Sequence, residues 1–179
     1  MRYNPETDMV EICYNGVWEN WKFGNMQDLL LYYYGDENTA LTGGWSAYAY
    51  KTVTSNSTVF TPTITKESNR MKVSITGTSS SWYYGSVFAD KTIDLTNIKT
   101  IEIVVNSVKN IGTSGNMWFF VTSTKENNYD ELAKATITKD GTYTIDVTGL
   151  TGNHYVCFGF NAYNNTTSCY VESIKAIAD

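Results

Sequence analysis

The sequence predicts an all-β chain: an antiparallel β-sandwich (jelly roll) with a short N-terminal β-hairpin. Three observations predict it. Apolar residues alternate with polar ones over short stretches, as where Met71, Val73 and Ile75 interleave with Lys72, Ser74 and Thr76, the period of a half-buried strand. Turn residues recur roughly every 8–15 positions, the spacing of sandwiches and barrels. No long amphipathic helical pattern lies between them, which argues against a parallel α/β sheet.

Taken in order, the first segment holds Asn15-Gly16 between Ile12, Tyr14, Val17 and Trp18. Both residues of Asn-Gly tolerate positive φ, as a two-residue hairpin turn requires. Residues 1–24 are therefore read as a hairpin appendage and residues 25–179 as the sandwich domain. Residues 25–34 fit one or two helical turns and a strand equally well. From Gly35 onward β patterning dominates. Residues 45–54 alternate small and aromatic side chains. Ile101, Ile103 and Val105 form an inward set, and residues 117–121, apolar on both faces, read as a central strand. Asp140-Gly141 is a turn leading into Tyr143, Ile145 and Val147. Val156, Phe158 and Phe160 form another inward set, and residues 170–177 close the chain. Residues 129–134 are the best helical candidate, a single turn over one edge.

Composition excludes several function classes. The chain has 179 residues, a formal net charge of −5 and no clustered Lys or Arg, so it offers no electrostatic footprint for nucleic acid or anionic membranes. Its apolar runs are too short to insert into a bilayer as helices. No signal peptide is visible in the first residues; an extracellular or virion-associated location then requires another route. Fourteen Tyr stand among 15% aromatics, and Tyr suits both half-buried sheets and wet binding surfaces.

Gly35-Asp-Glu-Asn38 followed by Leu41-Thr-Gly-Gly-Trp-Ser-Ala-Tyr48 resembles the opening of a carbohydrate-binding-module jelly roll. So do Met71-Lys-Val-Ser-Ile-Thr-Gly77, Ser81-Trp-Tyr-Tyr-Gly85, Ile93-Asp-Leu-Thr96 and Tyr170-Val-Glu-Ser-Ile-Lys-Ala-Ile177, in that order. The short hairpin resembles those of phage tail-fibre and baseplate proteins, and prophage tail-associated proteins of gut Firmicutes carry similar domains. The resemblance implies a non-catalytic sugar-binding or adhesin-like module, with a structural Ca²⁺ at Asp36 and Glu37. The family often has an acidic pair before its last strand, where Glu172 stands alone, which weakens that carry-over.

Sugars present C–H faces that stack on rings and hydroxyls that need amide or carboxylate partners. Trp82, Tyr83, Tyr84, Trp118, Tyr163 and Asn161 are the candidate ligand residues, with Asn116, Tyr155 and Asn164 near them in sequence. The competing reading packs Trp45 and Trp118 in the core. Carboxylates such as Asp90, Asp94, Asp130 and Asp146 fall at turns or on polar strand faces, and no pair is marked as the acid and base of a glycosidase. No catalytic residue is assigned. His154 reads as a turn residue. Cys157 and Cys169 lie equally far from Tyr163, so a hairpin centred there makes them cross-strand neighbours, bonded or reduced. Cys13 is left over as a packing residue. Asn56-Ser-Thr58 and Asn164-Asn-Thr166 match a glycosylation pattern that Asn/Thr-rich chains produce by chance. The alternative to sugar binding is an assembly domain of a phage tail or other surface complex, docking by the hairpin or as a homo-oligomer.

Overall fold

The computed structural model describes residues 2–4, 9–14, 17–21, 29–33, 44–49, 62–67, 70–77, 82–112, 115–125 and 130–178. Every regular element among them is a strand: β1 Arg2–Asn4, β2 Met9–Tyr14, β3 Val17–Trp21, β4 Leu29–Tyr33, β5 Trp45–Ala49, β6 Thr63–Glu67, β7 Arg70–Thr76, β8 Trp82–Ala89, β9 Ile93–Asp94, β10 Ile98–Lys109, β11 Gly115–Thr122, β12 Ala133–Ile137, β13 Gly141–Asp146, β14 Asn153–Tyr163 and β15 Thr166–Ala178.

The three N-terminal strands form their own sheet, β1-β2-β3. Tyr14 pairs with Val17 across Asn15-Gly16, the register of a two-residue hairpin turn. The other strands form two antiparallel six-stranded sheets. The first runs β13-β10-β15-β7-β6, with β4 also paired to β15. The second runs β12-β11-β14-β8-β5, with β9 also paired to β14. The chain is thus an antiparallel β-sandwich, as its alternation predicts.

Side-chain parity builds the core between these sheets. Met71, Val73, Ile75, Ile101, Ile103, Val105, Cys169, Val171 and Ile174 come from one sheet. Val87, Met117, Phe119, Val121, Val156, Phe158 and Phe160 come from the other. Trp45 packs against this core, its ring 5.8 Å from that of Phe158. Two of the core rings, Phe119 and Phe158, lie 5.1 Å apart, within the range of favourable aromatic pairs.

Two expectations fail. Residues 130–132 are irregular and Lys134 belongs to β12, so no helical turn forms there; Tyr129 lies outside the described residues. The alternating burial of β12 shows that the strand period, not a helical one, governs this segment. Nor is the Asn164-Asn165 turn a hairpin. It carries the chain from one sheet to the other, with Asn164 at φ 51°. Cys157 therefore pairs with Phe120 and Phe88, and Cys169 with Val73. Both cysteines are buried and free.

Candidate functional site

The sheet β12-β11-β14-β8-β5 has an outward face unlike an ordinary solvated one. Register places Phe120, Cys157 and Phe88 side by side across β11, β14 and β8. Their neighbours in sequence, Phe119, Phe158 and Val87, point into the sandwich core, so these three point out. All three are nonetheless 0% exposed and form a second apolar cluster, with Trp118 and Tyr155 packed against it. Phe88 and Phe120 meet edge to face, 6.2 Å between centroids. The chain itself closes over the middle of this face.

Beyond that cluster the face opens. Trp118 on β11 pairs with Gly159 on β14. A Cβ added to Gly159 would stand 2.3 Å from Cε2, 2.4 Å from Nε1 and 2.6 Å from Cζ2 of Trp118. A point so nearly equidistant from three ring atoms, and closest to the middle one, lies above the ring plane. The indole therefore rests face-down on the Gly159 backbone, which only glycine permits. Its Nε1 is buried and finds no acceptor among the described residues. In the next row Asn116 faces Asn161. The Asn161 Oδ1 accepts from the Asn116 backbone N–H at 2.6 Å and from its Nδ2 at 3.0 Å. Beyond them stands Tyr163, 37% exposed.

The opposite end of the face is barred. Lys125 lies over the Tyr155 ring, 4.8 Å from its centroid, and reaches Asp90 at 3.0 Å. Asp90 also accepts from the Ser46 hydroxyl. Burial pushes its carboxyl up, but Ser46 and Lys125 together hold it below the usual range. At the end of β11 the Asp130 carboxylate accepts from Thr122 Oγ1 at 2.7 Å and from the Ser123 amide at 3.0 Å. The Thr122 hydroxyl bond is the largest influence on Asp130; with Ser123 it outweighs burial and holds the carboxyl at about 2.

Other described carboxylates serve as acceptors in turns. Asp94 and Asp146 each cap a turn, accepting from the Thr96 and Thr148 amides at 2.9 Å, and both are held low by those threonines. Asp140 accepts from the Val108 amide at 2.7 Å. Every described carboxyl with a shifted pKa is shifted down. His154 Nδ1 sits 3.0 Å from the Gly152 carbonyl oxygen, a turn contact.

Among the expected ligand residues, Trp118, Asn161 and Tyr163 share the outward face. Trp82 is the register partner of Tyr163, Tyr84 of Asn161, and Tyr83 of the core residue Ala162. Strand alternation thus puts positions 82 and 84 on the outward face and position 83 on the other. Asp36 and Glu37, the expected Ca²⁺ ligands, lie outside the described residues, and among the described residues no three His, Cys, Asp or Glu cluster as metal ligands. Sequence reasoning missed Gly159 and Lys125. Gly159 had a signal, since glycine between Phe158 and Phe160 in a strand marks a close approach. Lys125 had none, because its partner Asp90 is 35 residues away.

No protein-family model matches the chain, and no curated protein matches it. Among solved structures it is similar to the carbohydrate-binding module TmCBM27, described for specific mannan recognition, at 9% identity and a TM-score of 0.51, over 86% of this chain and 99% of that one. It is also similar to a variant of the family 29 module CBM29-2, at 10% identity and a TM-score of 0.50, over 84% of this chain and 91% of that one. A family 11 module of Clostridium thermocellum, in complex with a β-1,3-1,4-mixed-linked tetrasaccharide, shares 15% identity at a TM-score of 0.49, over 84% of this chain and 95% of that one. At these identities the likeness to the first two establishes the fold: a β-sandwich of the kind that carbohydrate-binding modules use.

Proposed function

We propose that this chain is a non-catalytic carbohydrate-binding module whose ligand lies on the outward face of β12-β11-β14-β8-β5. The observation that carries this is the Trp118 ring pressed flat on Gly159 beside the Asn116–Asn161 amide pair and exposed Tyr163. A ring held flat on a sheet offers its other face to the C–H face of a sugar, and the adjacent amides suit its hydroxyls. Such a platform is rigid before the ligand arrives, which lowers the entropic cost of binding. A glycan array followed by calorimetry tests the reading. Saturable binding is expected, lost in Trp118→Ala and in Gly159→Val, where the new side chain lifts the indole off the sheet. Full-strength binding by Trp118→Ala, or no binding to any glycan, rejects it.

A second reading rests on the separate β1-β2-β3 sheet, which among the described residues shares no ladder with either sheet of the sandwich. It makes the chain an assembly domain of a tail or other surface complex. Concentration-dependent self-association in sedimentation velocity, without glycan binding, favours that reading over the first.

A further inference from the structure

A face that binds the interior of a polysaccharide must be open at both ends, so that the chain enters and leaves. A face blocked at one end admits only a chain terminus or a short oligosaccharide. The outward face here is asymmetric. At one end Asn116 is exposed and Tyr163 is 37% exposed. At the other, Lys125 leaves the end of β11, crosses the Tyr155 ring on β14 and docks on Asp90 just past β8. Its ammonium is thus held between the Tyr155 ring on β14 and the Asp90 carboxylate just past β8, like a bar at that end.

Several contacts hold that bar in place. The Asp90 amide donates to the Gly44 carbonyl at 3.0 Å, and its carboxylate takes the Ser46 hydroxyl as well as Lys125. Asp130, accepting from Thr122 and Ser123, fixes the chain where it leaves β11. The Lys125 side chain, 19% exposed, is the least exposed cation of the described ion pairs, the others being 29% to 56% exposed. Inward of it, Phe88, Phe120 and Cys157 are sealed. An ion pair between long exposed side chains contributes little, whereas this one is pressed on an aromatic ring, where a cation gains more.

We propose that Lys125 is a specificity-determining residue that closes one end of the binding face, so that the site takes the terminal residues of a glycan and not its interior. The proposal rests on the carbohydrate-binding reading. Cys157 belongs to the cluster against which Tyr155, the ring under Lys125, packs, so it reports on closure independently of any ligand, while Cys169, sealed in the sandwich core, serves as control.

Two measurements on the full-length protein test it. The first titrates the glycan found on the array, as a length series and as intact polysaccharide. One protein bound per polysaccharide chain, with affinity that stops rising after the first few sugar units, is the expected result; Lys125→Ala admits several proteins per chain. The second labels Cys157 with a small thiol reagent in a Cys13→Ser background. Labelling about tenfold faster in Lys125→Ala than in its parent is expected, as for any local opening that exposes a sealed thiol, with Cys169 unreactive in both. Several wild-type molecules bound along one polysaccharide chain overturn the end-binding proposal and leave the carbohydrate reading intact. Unchanged Cys157 labelling in Lys125→Ala also overturns it. Absence of binding to every glycan overturns both.

Discussion

The two sheets of this sandwich share one core but face solvent in opposite ways. The outward face of β6, β7 and β15 carries polar side chains that bond to one another. Thr63 meets Ser74 at 2.7 Å and Thr76 meets Thr166 at 2.9 Å, hydroxyl to hydroxyl. Glu67 accepts from Lys72 at 3.1 Å and from the Tyr170 hydroxyl at 2.6 Å, and Arg70 lies 4.7 Å over the Tyr170 ring. Glu172 accepts from Arg70 at 3.3 Å and from Asn106. The opposite outward face carries Phe88, Phe120, Cys157, Trp118 and Tyr155 instead. A polar ladder needs no cover. An aromatic face is either closed by its own chain or reserved for a ligand, and this one is closed in the middle and open at one end.

Four substitutions break or sharpen this contrast. The largest effect is expected for Phe120→Ala. Although it points away from the core between the sheets, it is fully buried, so it should cost about 3–5 kcal/mol in urea unfolding, as a core Phe does. A cost of less than about 1 kcal/mol, the range of surface changes, would mean that the face is not closed. Gly115→Ala probes a close approach of the two sheets. Its Cβ would fall 1.9 Å from Thr167 Oγ1 and 2.8 Å from the Asn161 carbonyl oxygen. Overpacking of this kind costs about 1–3 kcal/mol, read as a lower denaturation midpoint.

Asp130→Asn acts through pH. The Asp130 carboxyl is held at about 2, below its ordinary 3.8. Its contribution to stability is therefore present above pH 3.8 and is lost as pH falls towards about 2. The Asn variant should be less stable than the wild type at neutral pH, and the difference should shrink across that window. A difference that does not change with pH in unfolding curves contradicts the assignment. The smallest effect is expected on the polar face. Tyr170→Phe keeps the ring under Arg70 and loses only the half-buried hydroxyl bond to Glu67, so the unfolding midpoint should fall least of the four. The Glu67 carboxyl is held low first by that hydroxyl and then by Lys72; it should move up in an NMR titration of the variant. A large loss of stability here would erase the contrast between the faces.

Much of this architecture is legible in local pattern. The inward sets Ile101, Ile103, Val105 and Val156, Phe158, Phe160 follow directly from alternation. Residues 117–121 are apolar at every position because β11 is covered on both faces, Met117 and Phe119 by the core and Phe120 by the second cluster. Pairing partners are less legible. The equal spacing of Cys157 and Cys169 about Tyr163 suggests a hairpin, yet a turn that changes sheets has the same local sequence needs as one that reverses within a sheet. Asn164 in a left-handed conformation serves either. The candidate site was half visible for the same reason: Trp118 and Asn161 stood out as residue types, and glycine between Phe158 and Phe160 marks a close approach, but nothing nearby in the chain says that Trp118 is what lies on it.

The sequence by itself determined that the described chain is stranded, which side chains alternate inward, and where the turns fall, because period and turn chemistry act over a few bonds. Only the tertiary structure decided which of two outward faces is aromatic, where it is sealed and where it stays open. Those outcomes depend on register between distant strands and on contacts such as Lys125 with Asp90, and such contacts form only once the sheets have chosen their partners.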